Sequence, residues 1–356
     1  MTLPLFLSRS MLIRVLWVLL AFTALLQLLD MLDNSTTVLE RGEGIGGLLK
    51  FMGLRMPSIV LRLIPLAVLM GTVMAFFNLV QNNETIALRA AGLTPYRLVL
   101  MLVPLALAIG LLHFLLADQV APRTERSFLQ WWGAEQATTS DSDMTTHTIW
   151  ARTTGSVIRI GKYSAKARIL GDITIFNLDV DGRVRERIFA ARATRVHPVW
   201  ALEKVERFPA ADGTRRLEKL DTLDWPTPLK PSNIIDLATP TDAVPTKRSS
   251  GVLSGRWIGS RAPDYYQTRL HRAYAVVFVP LVMLLLAAPV IRGVRRTSTT
   301  GRGILIAMVS GFAFLLTDGI FAALGEAGLI PALVAAWGPL IIFGSLGLWT
   351  MLTLEK

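Results

Sequence analysis

The chain has 356 residues, of which 52% are hydrophobic and 18% charged; it has no cysteine and a mean hydropathy of +0.47. This composition excludes a disordered or disulfide-stapled protein and argues against an ordinary soluble domain. A net charge of +11 would suggest nucleic-acid binding in a soluble protein, but in a membrane protein it more often records Lys and Arg kept near the cytoplasmic lipid surface.

The hydropathy pattern predicts six membrane-spanning helices, three on each side of a long interval that is richer in charge. Each apolar run is long enough to cross a hydrocarbon core of roughly 30 Å at about 1.5 Å per residue. No small-residue cleavage site follows the first run, so we expect a retained helix and not a signal peptide. The six runs are residues 11–32, 59–80, 98–117, 273–291, 303–324 and 331–352.

Arginines in the short loops predict the orientation. Arg9, Arg14, Arg89, Arg97 and Arg302 belong to the side that holds both termini, whereas the first loop on the other side mixes acidic and basic residues. Because Lys and Arg are enriched in short cytoplasmic loops, we expect both termini in the cytoplasm. The expected location is the bacterial inner membrane, crossed several times.

A short helix is predicted between the second and third spans. One of the asparagines at 82–83 can cap it, Glu84 suits the positive end of its dipole, and Gly92 suits a left-handed stop. On this helix Glu84, Leu88 and Ala91 share one face at helical spacing. The segment is either a capped connector or a docking element for another protein.

The interval 119–265 predicts an antiparallel β domain, which the orientation places in the periplasm. Short runs of alternating apolar and polar residues indicate strands, and Asp-Gly pairs at 181–182 and 212–213 are strong hairpin signals. Residues 226–263, rich in Pro, Ser and Thr, predict a linker that returns to the fourth span. The predicted domains are therefore 1–118, 119–265 and 266–356.

The sequence offers no catalytic constellation. Its four histidines, at 113, 147, 197 and 271, are scattered without metal-ligand spacing. The nearest approach to a P-loop, GSVIRIGKY at 155–163, has five residues between its glycines instead of four and lacks the Ser or Thr that would bind magnesium. We therefore expect a chain that is not an enzyme and binds no cofactor itself, with any ATP chemistry supplied by a partner.

Ionisable residues in or beside the predicted spans are candidate functional groups, because a charge in lipid is costly. Asp318, in the fifth span, either forms a hydrogen bond between packed helices or lines a substrate path. Arg62 and His113 are interpreted as snorkelling or structural residues, with substrate contact as the alternative. Asp30 and Asp33 end the first span and are expected in the outer interface.

Several segments together resemble the LptF/LptG family of lipopolysaccharide export permeases, and most of all its LptG half. The resemblance covers nearly the whole chain and implies six membrane helices with a periplasmic β-jellyroll. The segments that carry it are NETIALRAAG at 83–92, VAP at 120–122, IWA at 149–151, GDITIF at 171–176 and VFVPLVMLLLA at 277–287.

The resemblance implies a membrane subunit of an ABC exporter that extracts lipopolysaccharide from the inner membrane and delivers it to a periplasmic bridge. The implied partners are an LptF-like permease, a dimer of LptB-like ATPases that bind the ATP and Mg²⁺, a single-span LptC-like protein and an LptA-like bridge. Glu84 matches the coupling glutamate of the family. The implied ATPase-coupling segment comprises Glu84, Leu88, Arg89, Ala91 and Gly92.

The chain departs from the family pattern at one position. Some LptG-type proteins have a lysine near the outer end of the first span, where this chain has Asp30. Either the recognised lipid A differs, or other cations compensate. The predicted substrate path therefore comprises Asp30, Asp33, Arg62, Arg123, Arg126, Arg272 and Asp318.

Other readings remain for the β domain and for the whole chain. The domain either cradles acyl chains as a slide or is a closed structural domain. The whole chain is alternatively a membrane-anchored sensor or scaffold whose β domain binds a ligand. A second alternative is an ion-coupled transporter that uses Asp318 as a proton carrier. A membrane enzyme has the least support.

Overall fold

The computed structural model describes residues 3–40, 42, 44–133, 144–153, 155–164, 167–179, 181–196, 199–209, 217–238, 243–292 and 297–352, without the side chains of 86, 89, 95, 133, 145–147, 292 and 297–300. Within these residues, six helical segments are long and apolar enough to cross a membrane, which confirms the predicted spans. The chain divides into two compact units, one helical and one containing the sheet. The helical unit comprises Met1–Phe128, Ala243–Thr246 and Gln267–Lys356, and the β unit comprises Leu129–Asp242 and Lys247–Tyr266.

The helical unit contains the six spans and one short helix. Its elements are α1 (Leu3–Glu40), α2 (Gly44–Gln81), α3 (Glu84–Ala90), α4 (Pro95–Leu115), α5 (Ala121–Gly133, which ends in the β unit), α8 (Pro263–Ala275, which begins there), α9 (Val279–Ala287), α10 (Thr297–Glu326) and α11 (Ala332–Leu352).

The first two helices are longer than their apolar runs. Both α1 and α2 have 38 residues, which at about 1.5 Å per residue is well beyond the thickness of a hydrocarbon core. They continue to a tight turn in which Gly42 and Gly44 have φ values of +73° and +55°. Because a left-handed backbone is strained for residues with a Cβ, these glycines set the position of the turn.

Spans three and four are interrupted helices. In span three, a π-helical turn at Leu116–Val120 joins α4 to α5, so the helix continues beyond the apolar run at 98–117. In span four, a 3₁₀ turn at Val276–Phe278 separates α8 from α9. Pro280, near the start of α9, has no N–H to donate, which favours a break at this point.

The core of the helical unit is made of large apolar side chains from every span. Met11, Leu69, Phe76, Met283 and Phe314 are almost completely buried. These residues come from α1, α2, α9 and α10, so each of those helices contributes to one cluster. Burial of this kind fixes which face of each helix is turned inward, and leaves the remaining apolar side chains exposed to lipid or to another chain.

The β unit contains one antiparallel sheet in which each strand pairs with its neighbour in the sequence. This confirms the inserted antiparallel β domain, and among the described strands the connectivity is a meander, simpler than the Greek-key connections of a jellyroll. The strands are β1 (Thr145–Arg152), β2 (Ser156–Tyr163), β3 (Ile169–Leu178), β4 (Val184–Val196), β5 (Val199–Pro209) and β6 (Glu218–Trp225).

One face of the sheet carries the core of the β unit. A row of directly paired residues crosses five strands through Ile149, Ile160, Ile173, Ala190 and Val205, all buried. The tendency of these residues to alternate with more exposed neighbours follows from the two-residue period of a strand, although β2 and β3 also bury the adjacent Gly161 and Thr174. The hairpin predicted at 181–182 is confirmed between β3 and β4, where Gly182 has φ +75°; the pair at 212–213 lies outside the described residues.

The segment predicted as a return linker contains two short helices, α6 (Pro231–Ala238) and α7 (Thr246–Leu253). Ile234 and Leu237 of α6 are buried in the core of the sheet. The spacing of these two residues places them on one face of a helix, and burial of that face outweighs the Pro, Ser and Thr content that suggested a linker.

Candidate functional site

The short helix α3 lies where α2 ends and α4 begins. Asn83 has φ +56° and its carbonyl accepts the first hydrogen bond of the helix, from Ala87 N at 3.3 Å. At the other end Gly92 has φ +81°, and Leu93 N donates to Leu88 O at 2.9 Å, which is the Schellman pattern. The predicted left-handed stop at Gly92 is therefore confirmed.

The faces of α3 differ in their surroundings. Thr85 is buried, and Leu88 packs against the core of the helical unit. Glu84 is half-buried, whereas Ala91 and Gly92 are exposed. Leu88 thus fixes α3 to the bundle, and the small residues after it face outward. The side chain of Arg89 is outside the described part of the structure, although its backbone belongs to α3.

A pocket of about 290 Å³ lies within the helical unit, between α2, α4, α8, α9, α10 and α11. It brings together three residues of the predicted substrate path, Arg62, Arg272 and Asp318, and also His113. Its other walls are apolar. They are formed by Leu61, Pro65, Ala275, Val276, Val279, Phe314, Leu315, Ala336 and Leu340.

A bidentate ion pair closes one side of this pocket. Arg272 Nη1 donates to Asp318 Oδ1 at 3.1 Å and Arg272 Nη2 donates to Asp318 Oδ2 at 2.8 Å. Arg272 Nη1 also donates to the backbone carbonyl of Asp318 at 3.1 Å. The Asp318 side chain therefore connects α10 to α8, as the packing interpretation expects, while it also lines the pocket. A second pair, Arg269 Nε to Glu326 Oε1 at 2.8 Å, joins the same two helices.

The other two polar residues of the pocket differ from this pair. His113 is only 6% exposed, and its Nδ1 is buried without a hydrogen-bond partner in the described part of the chain. Arg62 is exposed, and none of the ion pairs of the described residues includes it. As far as the described residues show, the pocket thus contains one neutralised cation, one cation without a counter-ion and one buried polar nitrogen without a partner.

Asp30, near the end of the first apolar run, is paired within the chain. Arg55 Nε and Nη2 donate to the two carboxylate oxygens of Asp30, both at 3.0 Å. The Arg55 guanidinium also lies 5.2 Å from the centroid of the Phe128 ring, close enough for a cation–π contact. Nothing in the sequence links Asp30 to Arg55, 25 residues away, so this pair was not predicted.

The remaining residues of the predicted path lie apart from the pocket. Asp33 is exposed on α1, and Arg123 and Arg126 are exposed on α5. The structure therefore gathers Arg62, Arg272 and Asp318 in one place and distributes the other four residues along the ends of α1 and α5.

Two acidic residues that the sequence analysis did not single out accept hydrogen bonds from the start of α7 and from the segment before it. Asp118, in the π-helical turn, accepts hydrogen bonds from Thr246 N at 2.6 Å and Thr246 Oγ1 at 2.8 Å. Glu125, on α5, accepts one from Ala243 N at 3.0 Å. The π turn has no sequence signature that we recognise, which is why the role of Asp118 could be found only in the structure.

Known proteins share sequence with both units. Residues 6–353 match the family described as "Lipopolysaccharide export system permease LptF/LptG". The chain is 25% identical over 307 residues to the lipopolysaccharide export system permease protein LptG of Escherichia coli (strain K12), which covers 84% of this chain and 83% of the relative. It is 22% identical over 321 residues to LptG of Haemophilus influenzae, covering 86% and 85%.

Proposed function

The chain belongs to the LptF/LptG family of lipopolysaccharide export permeases, and we propose that it is the LptG-type membrane subunit of an ABC exporter. In this proposal the subunit extracts lipopolysaccharide from the inner membrane and delivers it to a periplasmic bridge. An LptB-like ATPase dimer supplies the energy, and an LptF-like permease and an LptC-like single-span protein complete the complex.

The observation that carries the proposal is the placement of α3 between two membrane-spanning helices. Two residues separate Gln81, the end of α2, from Glu84, and four separate Ala90 from Pro95, the start of α4. With connections this short, a displacement of α3 must be passed to α2 and α4. Glu84 in the first turn and the exposed small residues at its end are the contacts we assign to the ATPase.

The exposed surfaces of the helical unit support the substrate and the partner permease. Spans one and five are the least buried of the six. On α1, Leu16, Leu20 and Leu28 are exposed, and on α10 Val309 and Leu316 are exposed. We assign the acyl chains of lipopolysaccharide and the facing helices of the second permease to these apolar surfaces. The β unit then lies on the periplasmic side, as the arginine distribution predicts.

The coupling role is tested with Glu84→Gln, which removes the charge and keeps the shape, and Glu84→Arg, which reverses it. The matched control is Arg97→Gln, because Arg97 is an exposed charge at the same end of the membrane but lies on α4. Each variant is purified with its partners and reconstituted in proteoliposomes. We measure ATP hydrolysis, lipopolysaccharide release and the tryptophan melting curve.

We expect both Glu84 variants to keep the melting temperature of the wild type, to lose lipopolysaccharide release by at least about tenfold, and to hydrolyse ATP without transport. The control variant should transport normally. Normal release by both Glu84 variants would contradict the coupling role. Purification of the wild-type chain without an ATPase or a second permease would favour the sensor or scaffold instead.

A further inference from the structure

We propose that the pocket containing Arg62, His113, Arg272 and Asp318 binds the phosphodiester headgroup of a bilayer phospholipid. This site is distinct from the surface that we assign to lipopolysaccharide, and the inference does not depend on the coupling role of α3. Four observations carry it: the lone cation, the buried nitrogen, the net charge and the size of the pocket.

The cation is the first observation. Arg272 is already neutralised by two hydrogen bonds to the carboxylate of Asp318. Arg62 lines the same pocket from α2, three residues after the start of the apolar run at 59–80, and has no counter-ion among the described residues. An arginine inside the apolar run of a membrane-spanning helix is expensive unless an anion or water accompanies it. Its exposed guanidinium is free to bind a phosphate oxygen.

The buried nitrogen is the second observation. His113 lines the pocket from α4, is more than nine-tenths buried, and its Nδ1 has no partner within the described residues. An unsatisfied polar atom in such a position costs free energy. Because this nitrogen is itself buried, the imidazole must rotate to bring it to the pocket. A phosphate oxygen can then accept a hydrogen bond from it in one tautomer, and a headgroup hydroxyl can donate to it in the other.

The charge balance is the third observation. The charged groups that line the pocket are Arg62, Arg272 and Asp318, which together carry one net positive charge with His113 neutral. A phosphodiester carries one negative charge, so its binding makes the pocket neutral. A buried or half-buried site in a membrane protein favours such an exact pairing, because any residual charge would be left in a medium of low dielectric constant.

The size and walls of the pocket are the fourth observation. Its volume of about 290 Å³ is at the lower end of small-ligand pockets. It can hold a phosphate and the polar part of a headgroup, but not a lipid with several acyl chains. Leu61, Pro65 and Leu340 provide an apolar border against which the glycerol end of a phospholipid can lie. We therefore separate this pocket from the lipopolysaccharide path.

The experiment measures lipid binding to the purified chain, together with any partners that remain bound, after exchange into detergent. Phosphatidylglycerol is titrated and its bound stoichiometry is read by native mass spectrometry. Diacylglycerol, which lacks the phosphate, and inorganic phosphate, which lacks the lipid, are the comparison probes. Lipopolysaccharide is added last as a competitor.

The variants are chosen so that their effects have opposite signs. Arg62→Gln removes the free cation, and we expect phosphatidylglycerol affinity to fall about tenfold, the size typical of one hydrogen bond to a charged group. Asp318→Asn releases Arg272 and raises the net charge of the pocket to about two, so affinity should rise. Arg302→Gln, an exposed charge at the other end of α10, is the matched control and should not change binding.

We expect one bound phosphatidylglycerol per chain, no binding of diacylglycerol at that site, and weak competition by inorganic phosphate. Equal affinity of the wild type and Arg62→Gln would overturn the proposal, and Arg62 is exposed, so this variant should fold. Inorganic phosphate that competes as well as the lipid would assign the site to a free anion. Displacement by lipopolysaccharide at equal concentration would assign it to the export path.

These outcomes are separate from those of the coupling experiment. A chain that releases lipopolysaccharide normally but binds no phosphatidylglycerol contradicts only the headgroup site. A chain that binds phosphatidylglycerol as described but transports normally with both Glu84 variants contradicts only the coupling role of α3.

Discussion

The ion pair between Arg272 and Asp318 provides the most quantitative prediction about the helical unit. Its side chains are only 28% and 24% exposed, and two hydrogen bonds of 3.1 and 2.8 Å join them. Removing one partner of a buried pair costs about 3–5 kcal/mol, because the other charge is left without compensation. Partial exposure of the pair makes this cost smaller. We therefore expect Arg272→Met to lower the free energy of unfolding by about 2–3 kcal/mol.

The two single variants should differ. In Asp318→Leu the guanidinium of Arg272 keeps its hydrogen bond to the backbone carbonyl of residue 318, at 3.1 Å, and its long side chain can reach a more polar region. In Arg272→Met the carboxylate of Asp318 loses both of its hydrogen-bond donors from Arg272, Nη1 and Nη2. We therefore expect Asp318→Leu to be the less destabilising by about 1 kcal/mol, the usual net contribution of one hydrogen bond.

The double variant distinguishes this explanation from general damage to the bundle. Replacing both charges by apolar residues is often close to neutral, so the double variant should be more stable than Arg272→Met, with a coupling energy of at least about 1.5 kcal/mol. The assay is the apparent melting temperature, measured by tryptophan fluorescence at one scan rate. A change of 1 kcal/mol in the free energy of unfolding should shift this temperature by about 2 °C. Strictly additive losses in the double variant would refute the reasoning.

Three further predictions concern other parts of the chain. A Cβ at Gly110 would overlap a backbone carbonyl oxygen of span four, so Gly110→Ala should lower the yield of folded protein. A Cβ at Gly53 would meet open space, so Gly53→Ala should leave the free energy of unfolding unchanged or raise it by up to about 1 kcal/mol. Burial raises the pKa of Glu186, but hydrogen bonds from Arg207 and Asn177 and the positive charges of Arg207 and Arg185 together lower it more, so the net pKa lies below its usual value. The stability that this provides is complete above a pH of about 4.3 and is lost as the pH falls through the folded pKa, so Glu186→Gln should reduce the acid sensitivity of the β unit in circular dichroism. Trp200 is fully buried, and its Nε1 donates to a backbone carbonyl at 2.8 Å. Trp200→Phe should therefore lower the free energy of unfolding of the β unit by about 1–3 kcal/mol and make its proteolysis faster.

The features that the sequence predicted are those with a local physical cause. The six spans could be predicted because a helix must satisfy all its backbone groups in lipid, which requires a long apolar run. The left-handed stop at Gly92 and the hairpin at Asp181 and Gly182 could be predicted because few residues adopt those backbone angles. In each case a few neighbouring residues contain the information.

The candidate site could not be predicted in the same way, because its residues are distant in the sequence. Arg62, His113, Arg272 and Asp318 come from four helices and meet only when the bundle packs. Arg62, His113 and Asp318 were noticed because ionisable residues are rare in membrane spans, and Arg272 was noticed as a cation that could compensate for Asp30, yet no spacing rule connects the four. The same is true of the pair that neutralises Asp30, whose partner lies on the next helix and looked like an ordinary loop arginine.

The two proposed sites share α2 and α4. Arg62 lies 19 residues before Gln81, the end of α2, and His113 lies 18 residues after Pro95, the start of α4, so about 27 Å of helix separates the pocket from α3 along each path. Each path contains an internal proline, Pro65 or Pro104, at which a helix bends most easily. Arg272 and Asp318 belong to helices that do not join α3 directly. Under the proposed coupling role, a displacement of α3 would move the α2 and α4 walls of the pocket relative to the walls from α8, α9, α10 and α11, and would change how well a headgroup fits. Thermodynamic linkage then requires the converse: a phospholipid in the pocket would change the affinity of α3 for the proposed ATPase partner by the same factor.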